Sequence, residues 1–269
     1  MRRARQSIEH VFTPHPGPQT AAHECTAHVL GYGGSAGGGK TGLGIGKALT
    51  RHRRSIMLRR QFKDHAETED FLDSLKGVNY NKNKHFAVTP DQRKLSLGHL
   101  QHERELKNWR GRGHDLIIID EAAEWPEFFV RFLMGWNRTT IPDQYCQTLL
   151  TFNPPTTPQS PGRWVIDFFA AWLDPKHPKP AKDGELRWYA MLDGEEVEVE
   201  SGEPFEHKNE RGETELIEPL SRTFIRARLE DNPSLAETGY RARLQAMPEP
   251  LRSQLLYGDF AKGAEDHEW

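Results

Sequence analysis

Cysteine is scarce: only Cys25 and Cys146 occur in 269 residues, far apart and in no metal-ligand spacing. That excludes a disulfide-stapled scaffold and a cysteine-built zinc site, leaving reduced thiols in or near a core. No apolar run approaches the ~20 residues a membrane-crossing helix needs. The basic start MRRARQSIEHVF has no apolar segment behind it, so a secretory leader is not expected. Net positive charge is missing too. With 36 Lys and Arg against 39 Asp and Glu the chain carries −3, so any contact with nucleic acid falls to local patches. Internal repeats are absent. The hydrophobic content of 36% and charged content of 28% are ordinary for a globular chain long enough to bury a sizeable core.

Local charge is uneven. KALTRHRRSIMLRRQFK (47–63) carries seven Lys and Arg and no carboxylate, whereas residues 193–218 carry eleven Asp and Glu against Lys208 and Arg211. Both runs read first as solvated faces. In the acidic one, RWYAML alternates, DG turns and EVEVE returns, the pattern of a surface hairpin. It interrupts a pattern that resumes at SRTFIRARL, which makes it an insertion at about 182–219.

The most informative stretch is HVLGYGGSAGGGKTG (28–42). Its residues Gly34, Ser35, Ala36, Gly37, Gly38, Gly39, Lys40 and Thr41 fit G-x-x-x-x-G-K-[ST]. AHVLGY reads as a buried strand before it, and TGLGIGKALTRH as a helix after it, the context a phosphate-binding loop requires. Glycines let successive backbone N–H groups turn inward around phosphates, and the helix N-terminus adds partial positive charge. Lys40 is expected to reach the β- and γ-phosphates and the Thr41 hydroxyl to hold Mg²⁺.

HDLIIIDEAAEWPEFF (114–129) supplies the complementary half. LIII suits a central parallel strand buried on both faces. Asp120 falls at its C-terminal end, where open α/β sheets gather ligands, placed to hold the metal through water. Glu121 next to it can polarise a water for attack on the γ-phosphate. A nucleotide kinase does not need that carboxylate. A GTPase is expected to carry N-K-x-D, and NKNK at 81–84 ends in Lys84 instead. The pairing favours ATP hydrolysis.

Three further positions are open to two readings each. Asn153, in YCQTLLTFNPP, is either a turn residue before Pro154 and Pro155 or a γ-phosphate sensor. Gln19, in PGPQTAAHE, is either a surface glutamine or a reader of the adenine edge. Arg110 and Arg112, in NWRGRGHD, form either a basic turn or a source of positive charge for a neighbouring subunit's transition state. Arg59 and Arg60, at the end of an apolar strand, are placed to approach the nucleotide.

The succession GPQ, GGSAGGGKT, IMLRRQFKD, IIIDEAAEWP, LLTFNPP, SRTFIRARLEDNPSL and YRARLQAMPEPLRSQLLYGDF resembles the ATPase portion of phage terminase large subunits, over roughly residues 14–262. ARLEDNP with LLYGDF is the restricted part of that likeness, since phosphate loops are widespread. The resemblance implies an α/β P-loop NTPase of the additional-strand (ASCE, RecA-like) type, with a mainly parallel sheet flanked by helices. The core would span 1–219, with a small C-terminal lid subdomain at 220–262 and the start of a linker at 263–269. It implies ATP and Mg²⁺ as cofactors, Gln19 in the adenine motif, Gly34 to Thr41 in Walker A, Asp120 and Glu121 in Walker B and Asn153 in the coupling motif. Arg110 or Arg112 would act in trans. Implied partners are double-stranded DNA, the portal protein of the procapsid, the small terminase subunit and further copies in a ring, in the host cytoplasm at the portal. Family members generally continue into a metal-dependent nuclease domain. The tail with Glu265, Asp266, His267 and Glu268 is too short to build one, so no nuclease activity is expected here.

A helicase-like remodelling ATPase is the alternative; it calls for a second RecA-like domain with its own arginine motif, for which 269 residues leave little room. A regulatory module with a degenerate site is opposed by intact Lys40, Thr41, Asp120 and Glu121.

Overall fold

The computed structural model describes residues 11–157, 159–236 and 238–260. Strands are Val29–Gly34 (β1), Arg54–Arg59 (β2), Asn79–Asn81 (β3), Phe86–Val88 (β4), Lys94–His99 (β5), Leu116–Ile119 (β6), Gln147–Phe152 (β7), Arg187–Leu192 (β8), Glu195–Val199 (β9), Phe205–Lys208 (β10), Thr214–Ile217 (β11) and Leu220–Ala227 (β12). Helices are Pro18–Glu24 (α1), Lys40–Thr50 (α2), Ala66–Ser74 (α3), Glu127–Met134 (α4), Trp164–Phe168 (α5), Ala170–Leu173 (α6), Pro233–Ala236 (α7), Tyr240–Gln245 (α8) and Leu251–Tyr257 (α9).

Ten strands form one sheet in the order β3-β4-β5-β2-β6-β7-β1-β12-β8-β9. The six from β5 to β12 run parallel, and antiparallel ribbons extend both ends. This is the expected α/β P-loop architecture. Parallel strands need crossovers on both faces, so each face must be apolar. LIII meets that demand: Ile117 and Ile119 enter one core cluster with Phe152, Phe169 and Phe224, while Leu116 and Ile118 enter the other with Leu30, Tyr32 and Leu43.

The DG turn closes β8 onto β9, with Leu192 opposite Glu195 and left-handed backbone at Asp193 and Gly194. The insertion is less detached than its composition suggests. Strand β8 pairs with β12 and so lengthens the main sheet, while β10 and β11 form a separate two-stranded ribbon.

One expected boundary needs moving. The stretch 220–227, assigned from sequence to the lid, is β12, an inner strand of the sheet, parallel to β1 and paired on its other side with β8. Phe224 and Ile225 point to opposite faces and join both main cores, which fixes the strand there. The small helical cluster begins after it, around Leu229, Leu244 and Leu256. The stretch 263–269, expected to start a linker, lies outside the described residues.

Candidate nucleotide site

The loop between β1 and α2 is braced from several sides. Ser35 N–H donates to the Ala227 carbonyl (3.0 Å) and Ala36 N–H to Leu255 (2.7 Å), and the Tyr32 hydroxyl donates to Gly38 O (3.2 Å). Gly34 sits at φ 143°, where a Cβ would lie 2.4 Å from the Ala227 carbonyl oxygen, so only glycine fits. Lys40 Nζ folds back to donate to Ser35 O at 2.8 Å. Burial pushes its ammonium pKa down, while the carboxylates of Glu121 and Asp120 pull the other way.

Asp120 is the hub. It follows β6, is 2% exposed, and has both carboxylate oxygens engaged. Oδ1 accepts from Thr151 Oγ1 at 2.5 Å. Oδ2 accepts from Arg59 Nε (2.9 Å) and Nη2 (2.5 Å), with Thr41 Oγ1 at 3.4 Å. The pair expected from spacing, one residue 79 positions from the other, therefore meets. Glu121 adopts left-handed backbone at φ 56°, a conformation that costs a non-glycine residue about 1–3 kcal/mol and gathers at functional sites. Burial and the neighbouring Asp120 charge raise its carboxyl pKa, opposed by Lys40 and Arg59. Both carboxylates open into a cleft of about 680 Å³ lined also by Arg59, Arg60, Lys63 and Glu124.

The family model described as "Terminase large subunit, T4likevirus-type, N-terminal" matches residues 21–266. The chain belongs to this terminase family. No curated protein matches it. Among solved structures it resembles a large terminase from a thermophilic bacteriophage, with TM-score 0.56 and 12% identity over 91% of this chain and 53% of that one. The same phage's large terminase in complex with ATP-γ-S gives 0.53 and 14%, over 92% and 53%. The large terminase ATPase domain of Thermus phage P74-26 gives 0.52 and 15%, over 95% of this chain and 97% of that domain. The chain thus spans about half the length of the first phage's large terminase and nearly all of the P74-26 domain. At such identity the likeness concerns the fold.

The remaining expected residues of this terminase chain divide. Asn153 follows β7, beside β6 and β1, and its Oδ1 is buried with no hydrogen-bond partner. A buried unpaired acceptor there fits a ligand or water between the strand ends. Gln19, 3% exposed, is not a surface residue: its Oε1 accepts from His15 N–H (2.6 Å) and its Nε2 donates to Gly39 O (3.0 Å), so it props the phosphate loop. Arg110 and Arg112 are not brought to the site within the chain. They lie exposed in the turn before β6, at the strand-start end of the sheet, while Asp120 and Glu121 follow its other end.

Thr151 and Asn232 escaped sequence reading. Thr151 is one of two threonines in β7, two residues before Asn153 and so on the same face. Asn232 donates from Nδ2 to Gly37 O at 2.7 Å; its only signal was membership of the LEDNP motif.

Proposed function

We propose that this chain is the ATP-hydrolysing motor module of a phage terminase, driving double-stranded DNA into a procapsid. The observation that carries the reading is Asp120, shared by Thr41, Thr151 and Arg59 beside a half-buried Glu121 in an open cleft. The donor set fits: a hydroxyl and a carboxylate are hard oxygen ligands suited to Mg²⁺, and the Asn153 acceptor is unpaired. A nucleoside triphosphate with Mg²⁺, when bound, supplies the scissile phosphoanhydride and a cation held by Thr41 and, through water, by Asp120.

The chain's residues divide the work. Lys40 exchanges the Ser35 carbonyl for phosphate oxygens. Glu121 orients the attacking water and accepts its proton. Asn153 Oδ1 accepts a hydrogen bond from that water, while its amide N–H groups report the phosphate. Arg59 neutralises Asp120. The helices from Pro233 to Tyr257 act as a lid. Arg110 or Arg112 serves a neighbouring copy in a ring, docked at the portal in the host cytoplasm and supplied with DNA by the small subunit.

Steady-state ATP turnover with and without duplex DNA tests the reading. Turnover that DNA stimulates is expected; a chain that binds ATP and never hydrolyses it, with or without DNA, contradicts it.

A further inference from the structure

At the strand-start end of the sheet, opposite the nucleotide cleft, a second concavity of about 340 Å³ is lined by Arg54, Gly111, Gly113, Arg138 and Thr140, with Asp115 at its base. Arg54, Arg110, Arg112 and Arg138 are exposed around it, and none meets a carboxylate among the described residues. Several other arginines are paired with carboxylates: Arg53 and Arg93 with Asp91, Arg59 with Asp120, Arg187 with Glu198, Arg222 with Glu196. Asp115 does not cancel the cluster through a side-chain pair. It is fully buried, its Oδ1 is 3.2 Å from His52 Nδ1, and its Oδ2 accepts the backbone N–H groups of Arg53 and Arg54.

Arg138 and Arg112 are held in place without being neutralised. Arg138 lies 5.2 Å from the Trp136 ring centroid and donates to Gly111 O (3.4 Å); Arg112 lies 5.5 Å from the Trp109 centroid. A parallel bridge between His114 and Asn137 fixes the two loops side by side. Stacked guanidiniums keep a planar, two-pronged face for phosphate oxygens.

We propose that this arginine concavity holds the phosphate backbone of double-stranded DNA; the inference rests on the DNA-motor reading above. Arg54 and Arg138, on separate segments and both lining the concavity, suit a polyanion that passes along a face, joined by whichever of Arg110 and Arg112 does not serve a neighbouring copy. Arginine contacts to phosphate carry no base information, as a motor indifferent to sequence requires. Binding here is also directional. Across β7, β1 and β12, the insertion at 182–219 bears thirteen carboxylates against four Lys and Arg and repels DNA from the far edge. The strands beneath the pocket are those of the catalytic centre: β2 begins at Arg54 and ends at Arg59, and β6 lies between Asp115 and Asp120. Load on the backbone is thereby applied to the two strands that carry the Asp120–Arg59 pair.

The test is anisotropy of a labelled duplex of random sequence, titrated with the full chain at a series of salt concentrations without nucleotide. Each neutralised phosphate contributes about −0.9 to the slope of log K against log salt. The pair R54Q/R138Q is expected to flatten the wild-type slope by about two, and T140R to steepen it. K76Q/K84Q, which removes the same charge from exposed lysines elsewhere, should leave the slope near wild type. Equal flattening by both pairs overturns the assignment to this face, as does an unchanged slope in R54Q/R138Q. If R54Q/R138Q instead alters only how turnover depends on protein concentration, the phosphate belongs to a neighbour's nucleotide and the proposal fails. A wild-type chain with no salt-sensitive duplex binding overturns the DNA-motor reading itself, and this inference with it.

Discussion

Asn232 Nδ2 donates to the Gly37 carbonyl at 2.7 Å, tying the small C-terminal helical cluster to the middle of the phosphate loop. Two contacts reinforce the tie: Ala36 N–H donates to Leu255 O, and Gln254 Nε2 donates to Pro155 O (3.2 Å), just past Asn153. Both ends of the nucleotide site therefore touch α9. If this helical cluster is a lid, a change at the phosphates has a short mechanical route to it.

Removing the Asn232 amide should loosen that route. In Asn232→Ala the lost hydrogen bond is worth about 0.5–1.5 kcal/mol, so ATP affinity should fall by up to about tenfold. Amide exchange across Pro233–Tyr257 should quicken while β1 and β6 stay protected. Unchanged exchange in those helices would show that the tie does not hold them.

The two halves of the site were legible because their chemistry demands particular residues at short range. A glycine-rich loop ending in Lys-Thr, and a β-branched run ending in Asp-Glu, leave little freedom of interpretation. Long-range choices were not legible. Nothing local in SRTFIRARL says that it runs beside a strand some 190 positions earlier, because either neighbour would accept an apolar strand; Val29 opposite Arg222 is settled by the packing of Phe224 against Phe152 and Phe169. Gln19 was ambiguous because its partner, the Gly39 carbonyl, is backbone and leaves no mark in sequence. Arg110 and Arg112 stand close to Asp120 in sequence, but an extended strand separates them in space.

Lys47 offers a pH signature. Fully buried, it donates to the carbonyls of Ala22, His23 and Cys25, anchoring α1, which carries Gln19, against α2. Burial lowers its pKa from 10.5 to about 7. Between those values the unfolded chain holds the proton more firmly, so this group makes stability rise with pH from about 7 toward 10. Melting temperatures of wild type and Lys47→Met at pH 7 and pH 9 should show the wild type gaining on the variant at the higher pH. A constant difference would mean that Lys47 keeps its proton in the fold.

The arginine acting in trans should reveal itself by mixing. If Arg110 or Arg112 serves a neighbour, turnover per molecule rises with protein concentration, since transition-state charge stabilised from a partner is worth ~10³-fold or more. Replacing that arginine by Ala should flatten the rise without weakening ATP binding. Mixing it with Glu121→Gln should restore part of the activity, because an intact Glu121 on one chain then faces an intact arginine on the other. Absence of rescue for both arginines returns them to a basic turn.

The central claim is that Lys40 binds the phosphates while Glu121 activates the water, beside an Asp120 held by Thr41, Thr151 and Arg59. It is tested most directly by measuring fluorescent-nucleotide affinity and steady-state ATP turnover on Lys40→Ala and Glu121→Gln side by side. Lys40→Ala should lose most of its affinity, and Glu121→Gln should keep wild-type affinity while its turnover falls by about 10²-fold or more. Equal loss of binding in both variants, or a Glu121→Gln chain that turns over at the wild-type rate, would contradict the account.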